Sequence, residues 1–588
     1  MEAARQPERD GSTLTRGTIV AACLAACVGQ IGFATPAVLN GLFQQDLGTT
    51  ASQLNWISAA IVIPLTLFEL TFGVIGDMFG RKRLLVGGAL MMTLGELIAA
   101  VGTPDPSTNN AVVVVWIGMA LAGIGGAALF PTSLAMIAAK TRTAKARGKM
   151  IPIYAAALSS GGFLAPVLAG LLTKLTWGGD PKASWRWALL AVMATALLSA
   201  IVSFFAARDS KSPEGRTLDW PGQITFAIGL FALLFAVVQA SSFGWTGTQS
   251  VIGYIVCVVF LSWFVRIEMR TREPLLRLKL FASRNFSLNS FVTVIGMFAF
   301  LGCAAATSIR LTAVQGFSPL EASVAFVALQ GFALFLLPLI SWMTPRVNPR
   351  WLLGGGFFLQ AVGAGWAATV SIDHHSVGAI LPPLAVVGIG FAFSVSSVTS
   401  VAVNTVRIQF AGMASATTSL LRDFGFALGP TVVIAIGTSH AAAKIKSTLA
   451  GSPALQHQVA TFYQSVASAP PAGKAAAAAA VGAVKSGPLG AVAVPATVQV
   501  NGHTVPLNPL HDTAYQALGT SYQLVFAICA ICALVAAVLV LLVLRADAHH
   551  DADELAQVES GMNVDELTVE SSRATRDDHS PVRRVQPD

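Results

Sequence analysis

A chain of 588 residues that is 54% hydrophobic and only 11% charged, with mean hydropathy +0.67, is not a soluble domain, which carries about a quarter charged residues. Its net charge of +8 does not mark a nucleic-acid binder either. The lysines and arginines stand in short turns between apolar runs, where they carry topology rather than form a binding surface. The composition is that of a polytopic membrane protein.

Met1 to Arg16 is polar and runs into a long first span with no small-residue cleavage site, which reads as a retained signal-anchor. Runs long enough to cross a bilayer, at about 20 residues each, fall near 17–41, 53–77, 84–103, 112–138, 150–173, 186–207, 219–240, 249–267, 286–309, 320–343, 351–370, 377–400, 411–437 and 519–544, fourteen in all. The tail 1–16 and the turns at 81–83, 140–149, 208–216, 266–284, 346–350 and 407 hold 23 lysines and arginines. The short turns on the other side hold four: Lys174, Lys182, Arg186 and Arg310. That asymmetry puts both termini in the cytoplasm.

Between the second and third spans lies Gly73-Val-Ile-Gly-Asp77-Met-Phe-Gly80-Arg81-Lys82-Arg83. Gly73 and Asp77, four apart, share a helix face; Gly80 permits a sharp reversal; and three cations follow at the membrane boundary. Parts of this region recur. Arg83-Leu-Leu-Val-Gly-Gly88 returns as Arg350-Trp-Leu-Leu-Gly-Gly355, Gly123-Ile-Gly125 as Gly388-Ile-Gly390, and Gly161 with Pro166 as Gly425 with Pro430, at offsets of 267, 265 and 264. Three matches in one order at a nearly constant offset predict two homologous six-helix halves, residues 17–207 and 285–545, with an inserted helix pair and linker at 208–284. An external insert, 438–518, carries an Ala run (Ala475 to Ala480), an amphipathic stretch (Leu455 to Val466), and a hairpin signal in which Asn501-Gly502 joins Thr497–Val500 to His503–Val505. It reads either as a small cap or as a partly disordered loop. From Arg545 onward the chain holds eleven acidic residues and five arginines with few apolar ones, so 546–588 reads as a disordered tail.

All six cysteines lie inside apolar runs, and Cys529 and Cys532 read as small packing residues of a spanning helix. No disulfide framework, metal site or cofactor motif follows from them.

With fourteen spans, two six-helix halves and the turn at 73–83, the chain resembles the major facilitator superfamily, and more narrowly its fourteen-helix drug:proton antiporters. The resemblance covers residues 15–545 apart from the insert. Gly73, Asp77, Gly80, Arg81 and Lys82, followed by Arg83, match the family's signature turn, which implies a latch between the cytoplasmic ends of the two halves. Gly161, Ala165, Pro166 and Gly170 in the fifth span are similar to the antiporter motif, with two glycines replaced by alanine; small residues there imply close helix packing and a proline bend. Leu421-Arg422-Asp423-Phe-Gly425 and Gln315-Gly-Phe-Ser-Pro319 also resemble family patterns. Two charged positions of the family are missing. The acidic residue of the first span aligns with Gly32 (its following proline with Gly41), and the basic Arg-x-x-Gln-Gly of the fourth span aligns with Met119, Ala122 and Gly123.

An ionisable group inside a span costs about 2.5–3.5 kcal/mol on insertion scales, so each asks for a reason. Glu69, Gly73 and Asp77 share one face, with Glu69 about 12 Å deeper than Asp77. Arg422 is about 16 Å from the start of its span. These depths predict a Glu69–Arg422 pair that forms in one access state and breaks in another, or else an Arg422 held statically by Asp423 or by carbonyls. Glu96, mid-span, is either a structural or a coupling carboxyl. Arg310 is read as snorkelling to the outer surface. Gln30, Gln330 and Gln360 with Phe33, Phe357 and Phe391 are candidates to line a cavity for amphipathic ligands, or else helix-to-helix hydrogen-bonding groups.

The expected fold is therefore an all-α major facilitator bundle, and the expected function is secondary export of hydrophobic or amphipathic small molecules by proton exchange, in a monomer in the cell membrane. No nucleotide signature, enzyme site or nucleic-acid surface is expected. A uniporter or dedicated lipid carrier, and a non-transporting scaffold or sensor, stand as the other readings.

Overall fold

The computed structural model describes residues 15–544 except 48, 50, 103–108, 141–143, 211–218, 272–273, 275, 277, 345, 407–410, 468–480, 483, 485–486, 501–502 and 507. The Ala run, the Asn501-Gly502 turn and both polar tails lie wholly or largely outside the described residues.

Thr15 opens the first helix by accepting a hydrogen bond from the Thr18 backbone N–H. The chain runs on through α1 (Arg16–Val38), a short α2 (Asn40–Leu47), α3 (Ala51–Phe79), α4 (Arg81–Val101), α5 (Asn109–Lys140), α6 (Ala144–Leu172) and α7 (Trp185–Ala206). Buried side chains of these helices pack into a core of their own, from Ala21 to Ala207. Helices α8 (Trp220–Phe243) and α9 (Thr248–Glu268) form a hairpin. A second bundle follows: α10 (Arg284–Ser308), continued by a π-helical turn Ile309–Val314, then α11 (Pro319–Gln330), α12 (Phe332–Phe335), α13 (Leu337–Met343), α14 (Pro349–Thr369), α15 (Val377–Asn404) and α16 (Ala411–Gly451). After α17 (Pro453–Ala467), α18 (Pro488–Ala493) and a two-stranded hairpin, α19 (His511–Val543) completes this bundle. Its core runs from Val292 to Leu544 and takes in Ala155 of α6.

Twelve helices among the described residues are long and apolar enough to cross a bilayer, and Pro319–Phe335 with Leu337–Met343 makes a thirteenth that is bent by 47°. Pro338 explains the bend, since it has no N–H to continue the ladder. The remaining predicted segment, 351–370, is a 21-residue helix, α14, whose many glycines dilute its apolar surface.

Close backbone contact holds each bundle together, and the contacts recur. A Cβ on Gly123 would strike the Ile61 carbonyl of α3, and one on Gly388 the Ala328 carbonyl of α11. A Cβ on Gly161 would strike the Cys27 carbonyl of α1, and one on Gly425 would lie 2.6 Å from the Val294 carbonyl of α10. A Cβ on Gly125 would lie 2.5 Å from the Gly88 carbonyl, and one on Gly390 the same distance from the Gly356 carbonyl. The repeated sequence positions thus make repeated helix crossings, the small-residue packing expected where no hydrophobic effect drives helices together.

The insert departs from a plain loop. Helix α16 runs to Gly451, well past the predicted end at 437. The predicted amphipathic stretch is α17, whose Val459 and Phe462 pack with Val484, Val494 and Leu510 in a small core. The predicted strands pair antiparallel, with Thr497 opposite Pro506 and Val500 opposite His503. Asn508 ties this cap down by donating to the Ala491 and Val494 carbonyls at 2.6 and 3.0 Å. Nearby, hydrogen bonds from Gln516 and Ser371 hold the exposed Asp373 carboxyl below the usual carboxylate range.

Replacing Gly123 or Gly388 by valine pushes a side chain into a neighbouring carbonyl. Each substitution is expected to cost about 1–3 kcal/mol or more, read as a lowered midpoint of thermal unfolding in detergent, with the two changes comparable.

Candidate functional site at the seam between the bundles

The turn at 73–83 is built around Gly80, whose φ of 114° lies in the region that favours glycine. Asp77 and Arg81 pair at 2.8 Å across one helical step. Arg81 also donates to the Ala135 carbonyl at the end of α5 (3.3 Å) and to the Ser210 hydroxyl (3.4 Å). The Lys82 backbone N–H donates to Asp209 Oδ1 at 3.0 Å, and a Cβ on Gly80 would lie 2.6 Å from Asp209 Oδ2. These bonds fasten the turn to α5 and to the segment after α7, all within the N-terminal bundle. Asp209 and Ser210 were not singled out from the sequence; they stand 127 and 129 residues from their partners. Arg83 is exposed on the first turn of α4, and a Cβ on Gly73 would make only an ordinary contact with Pro131.

The motif helix α6 faces both ways. Gly161 packs on α1, whereas a Cβ on Gly162 would strike the Gln330 side chain and one on Gly170 would lie 2.6 Å from Leu320 Cα, both on α11. Ala165 is buried in the N-terminal core, and Pro166 lies inside the helix. Small residues here bring α6 against its own bundle and against the other one.

On the opposite seam α3 and α5 meet α16. Here Arg422 and Asp423, each 4% exposed, lock together: Nε donates to Oδ1 at 2.8 Å and Nη2 to Oδ2 at 2.9 Å. The arginine also stands 5.9 Å over the Phe130 ring of α5. Glu69 is fully buried beside this pair, within electrostatic reach of both residues. Neither of its oxygens meets a hydrogen-bond donor among the described residues. Arg422 is therefore held by its sequence neighbour in this conformation, with Glu69 left as the third, unmatched charge. Tyr154 of α6 closes the cluster, its hydroxyl 3.2 Å from both Ser133 Oγ and the Phe130 carbonyl.

One helical turn further along α16, Phe426 sits 6.4 Å from Phe33 of α1, 6.4 Å from Phe391 and 6.5 Å from Phe300. Phe300 and Phe391 stack at 3.6 Å. The candidates Phe33 and Phe391 thus join an aromatic group that also contains Phe300 and Phe426, which nothing in their spacing marked. The other cavity candidates scatter. Gln330 and Gln30 lie at the α6 contact, buried. Gln360 donates to Ser394 Oγ at 2.7 Å, tying α14 to α15, and Phe357 packs on Gly296 inside the C-terminal bundle.

Glu96 is fully buried in α4, and neither carboxyl oxygen has a hydrogen-bond partner among the described residues. A Cβ on Gly32 would lie 3.6 Å from its Oε1 and would strike Met92 Cε. The first span therefore lacks a carboxyl at Gly32, but α4 delivers one to the same spot. Arg310 does not snorkel: it is 2% exposed and donates to the Val370 and Ser371 carbonyls at 2.9 and 2.6 Å. Beside the break in α11–α13 an open apolar groove of about 380 Å³, lined by Val327, Phe332, Phe335, Leu381, Pro382 and Ala385, lies between α11–α12 and α15. No group of His, Cys, Asp and Glu among the described residues has the arrangement of a metal site.

Residues 20–430 match the sequence profile described as Major Facilitator Superfamily. The chain is 26% identical over 406 residues to "Multidrug resistance protein Stp" of Mycobacterium tuberculosis (strain CDC 1551 / Oshkosh), covering 69% of this chain and 72% of that one. It is 27% identical over 416 residues to "Puromycin resistance protein pur8" of Streptomyces alboniger, covering 70% and 79%. To the "Tetracenomycin C resistance and export protein" of Streptomyces glaucescens it is 25% identical over 423 residues, covering 71% and 74%. Among solved structures, an inward-facing, unoccupied bacterial homolog to the human lysosomal transporter Spinster is similar with a TM-score of 0.53 at 14% identity, covering 92% of this chain and 98% of that one. At that identity the likeness bears on the fold.

Substituting Gly80 by alanine forces a Cβ into a positive-φ residue and against Asp209. The expected cost is about 1–3 kcal/mol, measured as a loss of thermal stability larger than that of Gly87→Ala on the neighbouring open face, where a Cβ meets nothing within 4 Å.

Proposed function

The chain belongs to the Major Facilitator Superfamily, and on that footing we propose that it exports amphipathic small molecules from the cytoplasm by alternating access, exchanging each for a proton held at Glu69. The observation that carries this reading is the charge imbalance at the α3–α16 seam. Asp423 is matched by the Arg422 fork; Glu69 is not. A buried carboxylate with no donor of its own, beside an arginine already forked to another carboxylate, is costly, so this site takes either a proton or a cationic group. Those two occupants exclude each other, and exclusion at a shared site is what exchange transport requires.

The aromatic group at Phe33, Phe300, Phe391 and Phe426 lies one turn from Arg422 and suits the apolar part of such a substrate. The names of the three relatives, all resistance or export proteins, support export of organic compounds. The excess of basic residues in the turns supports an orientation with both termini cytoplasmic. The turn at 73–83 acts as the inner latch of the N-terminal bundle, and α6, small-sided on both faces, as the surface on which the bundles rock. The protein works as a monomer, since both bundles of the transport path lie in one chain.

One observation favours a second reading, a carrier for a lipid: the open apolar groove beside the broken helix α11–α13. Irregular backbone at membrane depth is tolerated where it lines a cavity or is buried in protein.

The test is flux in proteoliposomes, with ethidium, a neutral amphiphile and a fluorescent phospholipid as probes, with and without an imposed pH gradient. Glu69→Gln is expected to lower gradient-driven flux about tenfold or more and to flatten its pH dependence. Intact, pH-dependent flux in that variant would remove Glu69 from the mechanism. Lipid movement indifferent to the gradient would favour the second reading. Glu96→Gln, measured alongside, shows whether the carboxyl at Gly32 shares the coupling.

A further inference from the structure

Helices α8 and α9 have no part in the mechanism above, yet they are placed with care. They form a stiff unit: Gly229 abuts Leu261 and Gly253 abuts Ala232 and Ala236 at distances that leave no room for a Cβ, and Gln239 Nε2 donates to Gln249 Oε1 at 2.6 Å. The unit lies along the seam where α3 meets α16, and α8 touches both. Leu230, Leu234 and Val238 of α8 pack with Ile63 and Leu67 of α3 and with Ala427 of α16. Toward the basic end, Phe264 of α9 packs with Leu70 of α3 and Leu420 of α16. The cover therefore sits directly outside Glu69, Arg422 and Asp423.

The two sides of this contact differ in kind. Toward α3, the buried Gln223 donates from Nε2 to the Leu67 carbonyl at 2.9 Å, two residues from Glu69. Toward α16 the hydrophobic side chains that share a core with the pair are Leu420, Phe424, Ala427 and Leu428. A hydrogen bond is directional and fixes register, whereas apolar packing within a membrane has no preferred partner atom and can shift by small sliding steps. A helix in contact with two bundles that rock against each other can follow only one of them.

We propose that the α8–α9 pair is a lateral seal fastened to the N-terminal bundle through Gln223, which slides over α16 and keeps lipid away from the buried charges as the seam moves. Gln223 is a positioning residue. The proposal rests on the alternating-access reading, and its experiment separates the two. Spin labels go on three exposed positions, Ile228 on α8, Leu94 on α4 and Phe358 on α14, in full-length protein lacking its six native cysteines and reconstituted in bilayers, and pairwise distance distributions are measured by pulsed electron resonance. The expected result is a narrow 228–94 distribution and a 228–358 distribution about as broad as 94–358, since motions of this kind populate more than one state. Gln223→Leu is expected to broaden 228–94 about twofold while leaving 94–358 unchanged. A narrow 228–358 with a broad 228–94, or an unaltered 228–94 in Gln223→Leu, overturns the seal as described. A single narrow 94–358 distribution counts against rocking itself, and with it against both the export reading and the seal.

Discussion

The fork between Arg422 and Asp423 is the interaction on which the rest of the seam depends. A buried arginine cannot shed its charge, so it needs an acceptor in every conformation the protein visits. Asp423, the next residue, travels with it on the same helix and supplies two hydrogen bonds without reference to the other bundle. That arrangement frees the contact between bundles from the duty of neutralising the arginine. Glu69 on α3 then faces a site whose positive charge is already spoken for, and its state depends on what else arrives there. The ring of Phe130 and the hydroxyl of Tyr154 complete a wall that belongs to the N-terminal bundle. The charged pair belongs to the other. A site divided in this way senses the distance between its halves.

The bundles themselves are not free to deform. Glycines at 88, 125, 161, 356, 390 and 425 place one helix backbone directly on another, leaving no side chain whose rotamer could absorb a shift. On the proposed reading, conformational change is channelled into the two seams. At one, α6 rides on α11 over Gly162 and Gly170; at the other, α3 and α5 meet α16 across the charge cluster. The turn at 73–83 adds to the rigidity of the first bundle, because Arg81 and the Lys82 amide reach α5, Asp209 and Ser210.

Much of this was legible in the sequence because it is carried by local pattern. Apolar runs and the 264–267 offset specify helices and repetition without any knowledge of packing, and the repeated glycines proved to be repeated crossings. Asn501-Gly502 with its flanking alternation likewise foretold a hairpin whose strands pair as expected. What remained hidden is what depends on which helix faces which. Glu96 and Gly32 are 64 positions apart in the chain, and only the side chains that α4 sends toward α1 show that the carboxyl of one fills the place vacant at the other. Gln360 and Phe357 carry the same residue types as Gln330 and Phe391, yet face the inside of their own bundle. Arg310 looked like a boundary residue by depth, but the π-helical turn it sits in aims its guanidinium at the carbonyls of Val370 and Ser371.

The asymmetry between the seams follows from the chemistry each contains. The α6–α11 seam brings the helices together over Gly162 and Gly170, with the buried Gln330 between them. The α3–α16 seam holds one cation and two carboxyls in a low-dielectric setting, where any gap admits either water, which would screen them, or acyl chains, which would strand them. It is at this seam that α8 and α9 lie. Two extra helices placed by chance would cover either side equally well. Their position over the charged seam, with the buried Gln223 tied to α3 two residues from Glu69, links the pair to the charges it encloses.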